Sequence, residues 1–335
     1  MSAAAATARA ATSMVDRAIG YVASGMGELG PAEIVELLAG AGYGAVDWTM
    51  EQFDPLAEPP ERLSEMTKLA RAAGLAVPQL MVHQDHVALD EELWEQRVRR
   101  AECAIKACGH AEIESIGVLS GPSMWEPGAA RIGVDLREGH AWELALRALE
   151  RILDCGEAEG VRVALEPCWG TLAHGRYRAE HMLAALDCAA LAVNFDPSHH
   201  VLCGDDIPGA VRAWGGRIAH VHLKDGFGVS GPAAPARAYA RGGVPGEGTG
   251  PAAAGVEGED FAFLLPGEGA VPWLELFDAL DAIGYTGAMS VENEAYRLLE
   301  GPLRGDVGRA ARLARELVAG LLDGHAAAPL VGGAV

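Results

Sequence analysis

Eight short apolar runs alternate with eight longer amphipathic stretches along this chain, and that alternation constrains the fold more than any other feature. The runs lie at 18–24, 44–50, 75–82, 113–120, 161–167, 191–197, 218–225 and 287–294. The amphipathic stretches lie at 31–42, 59–74, 90–109, 140–160, 178–189, 207–216, 271–284 and 307–322. The runs are nearly continuous in apolar residues, as strands are when both faces of a parallel sheet are covered. The stretches at 31–42 and 59–74 begin with Pro and end with Gly, the asymmetry that helix ends favour. Eight strand–helix units predict an α/β fold closed into a (β/α)8 TIM barrel. An open doubly wound sheet is the alternative. It would more often carry a Gly-rich nucleotide loop after its first strand. Here SGMGELG (24–30) meets that pattern only loosely and lacks a matching acidic partner.

The 335 residues suit one barrel of about 250 residues with insertions. The single domain is expected over 15–324, with loose tails at 1–14 and 325–335. A Gly-, Ala- and Pro-rich segment, 226–269, follows the seventh strand. A loop of that length is usually a lid, an interaction arm or disordered, and in a barrel it would overhang the C-terminal mouth.

Aromatic residues make up only 6% of the chain, so Ala, Val, Leu and Ile must do most of the packing. The net charge of −21 weighs against nucleic acid and against an anionic membrane surface, since both need clustered Lys and Arg. It also makes a phosphorylated substrate less attractive, and no phosphate-binding Gly loop is evident. None of the six cysteines forms a CxxC pair, which reads as reduced, buried thiols of a cytoplasmic protein. No apolar run reaches the ~18–20 residues of a membrane span. The Ala-rich N-terminus lacks the apolar core of a secretory signal.

Chemistry gathers at the ends of the last four strands. Glu166 ends the fifth, Asp196 ends the sixth, His222 lies in the seventh and Glu292 in the eighth. Taken singly, each has a structural explanation. Glu166 before a proline caps a turn, Asp196 caps a helix, and His220 or His222 is a satisfied core histidine. Taken together at one barrel mouth, three carboxylates would repel one another, and burial would raise their pKa values. A divalent cation offsets both effects, and mixed carboxylate and imidazole ligands suit Mn²⁺ or a similar ion.

The segments VALEP (163–167), NFDPSH (194–199), HVHLKD (220–225), LPGEGAVPW (265–273) and GYTGAMSVENE (284–294) resemble the sugar phosphate isomerase/epimerase family, the xylose isomerase-like TIM barrels. The N-terminal half adds AGYGAVDW (41–48) and its strand–helix rhythm. The resemblance implies one divalent metal, Mn²⁺ first and Mg²⁺, Co²⁺ or Zn²⁺ as alternatives, held by Glu166, Asp196, His222 and Glu292. Glu166 and Glu292 would be the catalytic proton-transfer pair. His199 would contact a substrate oxygen, and His200 should point elsewhere. Lys224 and Asp225 are expected at the substrate or beside the ligands, Asp225 by orienting His222, with a plain strand-end salt bridge as the alternative. Trp48, Trp125 and Trp169 are sugar-pocket candidates against a packing role, and His83 and His86 are substrate-contact candidates.

The implied activity is isomerisation or epimerisation of a sugar or keto-sugar by proton abstraction next to a carbonyl, through an enediolate. The alternative is a lyase, either a dehydratase or a 3-keto-glycoside-cleaving eliminase with a small partner subunit. A non-catalytic sugar-binding protein ranks lower. So does an endonuclease IV-like nuclease, because the fourth strand ends GVLSG without His and no Asp-x-His occurs between Asp225 and Gly287. The expected partner is a small sugar-derived molecule, and a homo-oligomer is compatible with the sequence.

Overall fold

Eight parallel strands close into a barrel. They are β1 (Ile19–Val22), β2 (Ala45–Thr49), β3 (Gln79–Val82), β4 (Ser115–Val118), β5 (Arg162–Leu165), β6 (Leu191–Phe195), β7 (Ile218–Leu223) and β11 (Met289–Val291). Each pairs with its sequence neighbour, and β11 closes the ring between β7 and β1. The computed structural model describes residues 17–123, 126, 128–228, 257–258, 261–293 and 305–327. The expected tail at 1–14 therefore lies outside the described residues.

The helices are α1 (Pro31–Gly40), α2 (Pro60–Ala72), α3 (Glu91–Ala111), α4 (Glu138–Glu159), α5 (Gly175–Leu186), α6 (Pro197–Cys203), α7 (Ile207–Trp214), α8 (Trp273–Ala282) and α9 (Val307–Ala327). All eight expected amphipathic stretches thus become helices close to their expected positions, and α6 is an addition to them. α9 runs to Ala327, past the expected start of the C-terminal tail at 325. No described helix is long and apolar enough to cross a membrane.

The two faces of the barrel differ in chemistry. Alternation sends Val46, Trp48, Leu80, Val82, Ile116, Val118, Val163, Leu165, Val193 and Phe195 outward, where they join the core shared with the helices. The inward face is smaller and more polar: Asp47, Gln79, Asn194, His220 and Ser290 are all buried. His220 Nε2 reaches across the ring to Asp47 Oδ2 at 2.8 Å. Gly20 makes room for this layer, since a Cβ there would stand 2.3 Å from Ser290 Oγ.

Two elements depart from the sequence reading. The segment after Phe195 does not end in a strand but turns into α6, with Asp196 as its N-cap. The ends of the expected loop 226–269 are ordered: β8 (Asp225–Gly228) pairs antiparallel with β10 (Phe261–Leu264), which also pairs with β9 (Glu257–Gly258). Residues 229–256, the middle of that segment, lie outside the described residues.

Candidate functional site

Four strand ends converge at the C-terminal mouth of the barrel. Glu166 follows β5, Asp196 follows β6, His222 sits near the end of β7 and Glu292 follows β11. All four side chains are buried, and one ligand atom from each falls within 4.8 Å of the others. His222 Nδ1 lies 3.4 Å from Glu292 Oε2, 3.8 Å from Glu166 Oε1 and 3.9 Å from Asp196 Oδ2.

Each ligand atom is positioned by its neighbours. Asp196 Oδ1 accepts from the Ser198 amide at 2.8 Å and the Ser198 hydroxyl at 2.7 Å, which turns Oδ2 toward the centre. Asn194 Nδ2 lies 3.2 Å from His222 Nε2 and donates to Glu166 Oε2 at 2.9 Å. Lys224 Nζ stands 2.9 Å from Asp196 Oδ2 and 2.5 Å from Glu292 Oε2. His199 Nε2 lies 3.4 Å from Glu166 Oε1 and 3.6 Å from Asp196 Oδ2. Phe263 of β10 covers the group, with its ring 5.1 Å from that of His199 and 4.7 Å from Lys224 Nζ.

The charges hold one another in place. Burial pushes the Glu166 pKa upward, but His222, His199 and His83 overcome it and hold it well below the ordinary carboxylate value. Burial acts the same way on Glu292, and Lys224 with His222 overcomes it. For His222 burial opposes the charge, yet Glu292 and Glu166 raise its pKa well above the ordinary imidazole value.

The residues suit a divalent cation. His222 Nδ1 is buried without a hydrogen-bond partner and faces three carboxylate oxygens. One nitrogen and three oxygens match the donor preference of Mn²⁺-like ions. Asp47, His220 and His222 also bring ligand atoms within 4.8 Å of one another, but the Asp47–His220 hydrogen bond already occupies that pair.

A cavity of 370 Å³ opens above the group. Glu166, Glu292, His199, Lys224 and His83 line it, and His83 Nε2 lies 3.1 Å from Glu166 Oε2. Other expected residues lie elsewhere. Trp48 points outward from β2 into the helix-facing core. Trp169 is buried but does not line this cavity. Trp125 lies outside the described residues. His86 is buried and placed by its Nδ1 contact with the Leu119 carbonyl at 2.7 Å. His200 turns away to Asp205 Oδ2 at 2.7 Å and stacks on Phe195.

Asp225 does not orient His222. Its carboxylate accepts from the amides of Gly267 at 2.9 Å and Val271 at 3.0 Å and from Trp273 Nε1 at 2.8 Å. It ties the end of β7 to the segment that leads into α8, and Asn194 takes the place beside His222. Strand alternation in LAVNFDP puts 194 on the same side as 196, a signal that could have found Asn194. The cavity also holds Cys168, Gln84, Arg97 and Arg100, which sequence reasoning missed.

Comparison with known proteins bears on the fold and the family. The inosose dehydratase of Geobacillus thermodenitrificans (strain NG80-2) is 28% identical over 153 residues, 46% of this chain and 47% of that relative. The chain therefore matches about half the length of that curated relative. The structure of D-psicose 3-epimerase with D-tagatose from Clostridium cellulolyticum H10 is 18% identical, covers 92% of this chain and 98% of its own, and superposes with a TM-score of 0.62. The IolI protein with a bound zinc atom is 14% identical, covers 92% of this chain and 99% of its own, and gives a TM-score of 0.63. At these identities the two structures show a shared fold. A family model described as the xylose isomerase-like TIM barrel matches residues 35–317, and the chain belongs to that family.

Proposed function

We propose that this protein is a divalent-metal-dependent isomerase or epimerase of a sugar or keto-sugar, working by proton abstraction next to a carbonyl. The observation that carries the reading is that Glu166 and Glu292 come within 3.8 Å and 3.4 Å of His222 Nδ1 and that both carboxylates line one cavity. Glu166, Asp196, His222 and Glu292 would hold the ion, with Mn²⁺ as the first choice. When bound, such an ion acts as a Lewis acid on the carbonyl and the adjacent hydroxyl oxygen.

The chain's own residues supply the rest. One glutamate takes the proton from the carbon beside the carbonyl, and the C–H electron pair moves into a new C=C bond as the carbonyl oxygen gains charge. His199 stands beside Glu166 and Lys224 beside Glu292, within 3.5 Å of each other, and both would donate to that oxygen. The second glutamate returns a proton. Return to the opposite face of the same carbon gives an epimer, and return to the former carbonyl carbon gives the aldose–ketose isomer. Phe263 shields the centre from water. The D-psicose 3-epimerase likeness and the sugar-like size of the cavity support this reading.

A lyase is the second reading, favoured by the inosose dehydratase match. It shares the first step, after which the electron pair expels a hydroxyl or glycosyl group from the next carbon. Proton NMR in D₂O tests both. Protein stripped with EDTA and resupplied with Mn²⁺ would meet ketoses, inososes and 3-keto-glycosides. Metal-dependent deuterium uptake at the carbon beside the carbonyl is the expected result, and the products separate isomerase from lyase. No uptake with any of them, despite bound metal, counts against the proton-transfer reading.

A further inference from the structure

The end of the cavity away from the metal centre carries its own chemistry. Arg97 and Arg100 project into it from α3, together with Gln84. The chain holds only 26 Lys and Arg against 47 Asp and Glu, so two arginines lining one cavity run against its overall balance.

The two arginines are not equivalent. Arg97 is buried, donates to Glu126 Oε1 and has Asp85 Oδ2 3.9 Å from its guanidinium. Its charge is matched, and its backbone carbonyl accepts from Gln84 Nε2 at 2.6 Å. This knits α3 to the loops that follow β3 and β4. Arg100 donates to Gln84 Oε1 at 3.3 Å. The nearest carboxylate to it among the described residues is Asp54, at 3.9 Å and half exposed, too far for a hydrogen bond. At the opposite end of the cavity Lys224 and a divalent ion would balance Glu166, Asp196 and Glu292. Among the described residues Arg100 is then the cavity charge with the loosest counter-charge, a half-exposed carboxylate at 3.9 Å.

Position links this charge to the reacting centre. Gln84, which touches Arg100, is the next residue after His83, which touches Glu166. A molecule whose carbonyl sits at the glutamates would therefore extend along His83 and Gln84 toward the Arg100 guanidinium.

We infer that this end of the cavity is a subsite for a carboxylate on the substrate, held by Arg100 with Gln84 beside it, so that the substrate is a keto-sugar acid. The inference rests on the reading of the cavity as a keto-sugar site. A guanidinium and a carboxylate match in charge and in planar, bidentate geometry. One loosely paired positive charge fits a monoanion better than a phosphate, which carries about −1.5 to −2.

Isothermal titration calorimetry on the full-length, Mn²⁺-supplied protein tests it with three congeners: D-fructose, its 6-carboxylate D-fructuronate, and D-fructose 6-phosphate. D-Fructuronate is expected to bind about 10-fold or more tighter than D-fructose. In Arg100→Gln that preference should fall to within about 2-fold, and Arg100→Lys should restore part of it. Unchanged circular dichroism spectra show that the variants fold. Equal binding of acid and neutral sugar, a preference that survives Arg100→Gln, tighter binding of the phosphate, or no binding by any of the three overturns the inference. Deuterium exchange measured alongside separates it from the proposed function. Exchange without a carboxylate preference removes only the subsite. An Arg100-dependent preference without exchange removes only the proton-transfer reading.

Discussion

Asp196 and Ser198 divide the aspartate into two halves. Oδ1 takes both the amide and the hydroxyl of Ser198, and Oδ2 is left facing His222, His199 and Lys224. Helix cap and metal ligand are alternatives when read from sequence, yet one carboxylate has an oxygen for each. Asp196→Asn tests the division, because an amide oxygen still accepts from Ser198 while its nitrogen cannot ligate a cation. The expected outcome is a fold with a melting temperature within a few degrees of wild type and a metal affinity at least about 10–100-fold weaker. Asp196→Ala should lose the cap as well, costing about 1 kcal/mol more. Undiminished Mn²⁺ binding by Asp196→Asn would remove the residue from the ligand set.

Metal should also stabilise the barrel as a whole. An ion that binds only the folded chain contributes about 2.7 kcal/mol at 100 times its Kd. For a domain of this size that is roughly 5 °C in Tm. Differential scanning fluorimetry with EDTA and then with added Mn²⁺ should show the loss and the recovery. A Tm indifferent to both would mean that the four side chains do not bind the ion in the folded state.

Glu166→Gln and Glu292→Gln preserve shape and remove the proton acceptor. Each is expected to lower turnover by about 10²–10⁴-fold, the range for general acid–base groups, with the circular dichroism spectrum intact. Full activity in Glu292→Gln would refute the two-glutamate mechanism.

The barrel strands are legible in the sequence because their outward face is mostly Val, Leu, Ile and Phe, with Tyr21 and Trp48, while inward Met81, Ala164 and Ala192 help to keep the runs apolar. The helix α6 is not legible. Its seven residues begin Pro-Ser-His-His, and Asp196 and Pro197 read as the tail of the preceding run. The four converging residues could be found because they end strands, and strand ends meet at a barrel mouth wherever the helices lie. Trp48 and Asp225 went astray for a common reason, since alternation from Asp47 and from His222 sends both to the outer side. Arg97 was hidden by the habit of reading arginine as solvated. Its spacing from Trp94, Ala101 and Ala104 places it in the buried stripe of α3. No spacing reveals that Arg100 enters the cavity, because that depends on how the loops after β2 and β3 pack beside it.

Asp225 then carries a stability prediction rather than a catalytic one. Asp225→Ala removes a buried acceptor from three backbone amides, those of Gly226, Gly267 and Val271, and from the Trp273 indole N–H. The expected cost is about 3 kcal/mol or more, with Asp225→Asn milder because one oxygen remains. Chemical denaturation measures it. A large fall in metal affinity without loss of stability would instead return Asp225 to the site.

Acid sensitivity should come from two histidines remote from the metal centre. Burial lowers the pKa of His86 and of His174 from 6.5 to about 4. The unfolded chain therefore binds protons that the folded chain refuses between those values. The stability each confers is fully present above pH 6.5 and is lost as pH falls toward 4. At full effect each is worth on the order of 3 kcal/mol. Asp85 acts in the opposite sense: burial raises its carboxyl from 3.8 to about 7, so its folded form keeps a proton over the same window and gains stability as pH falls. One histidine's contribution is thereby offset, and the wild type should lose stability toward pH 4.5 with a slope near one proton. His174→Asn should flatten that slope and Asp85→Asn should steepen it toward two. Urea denaturation at half-unit steps from pH 7.5 to 4.5 gives the slopes directly. A His174→Asn slope equal to that of wild type would mean that His174 takes up its proton in the folded protein.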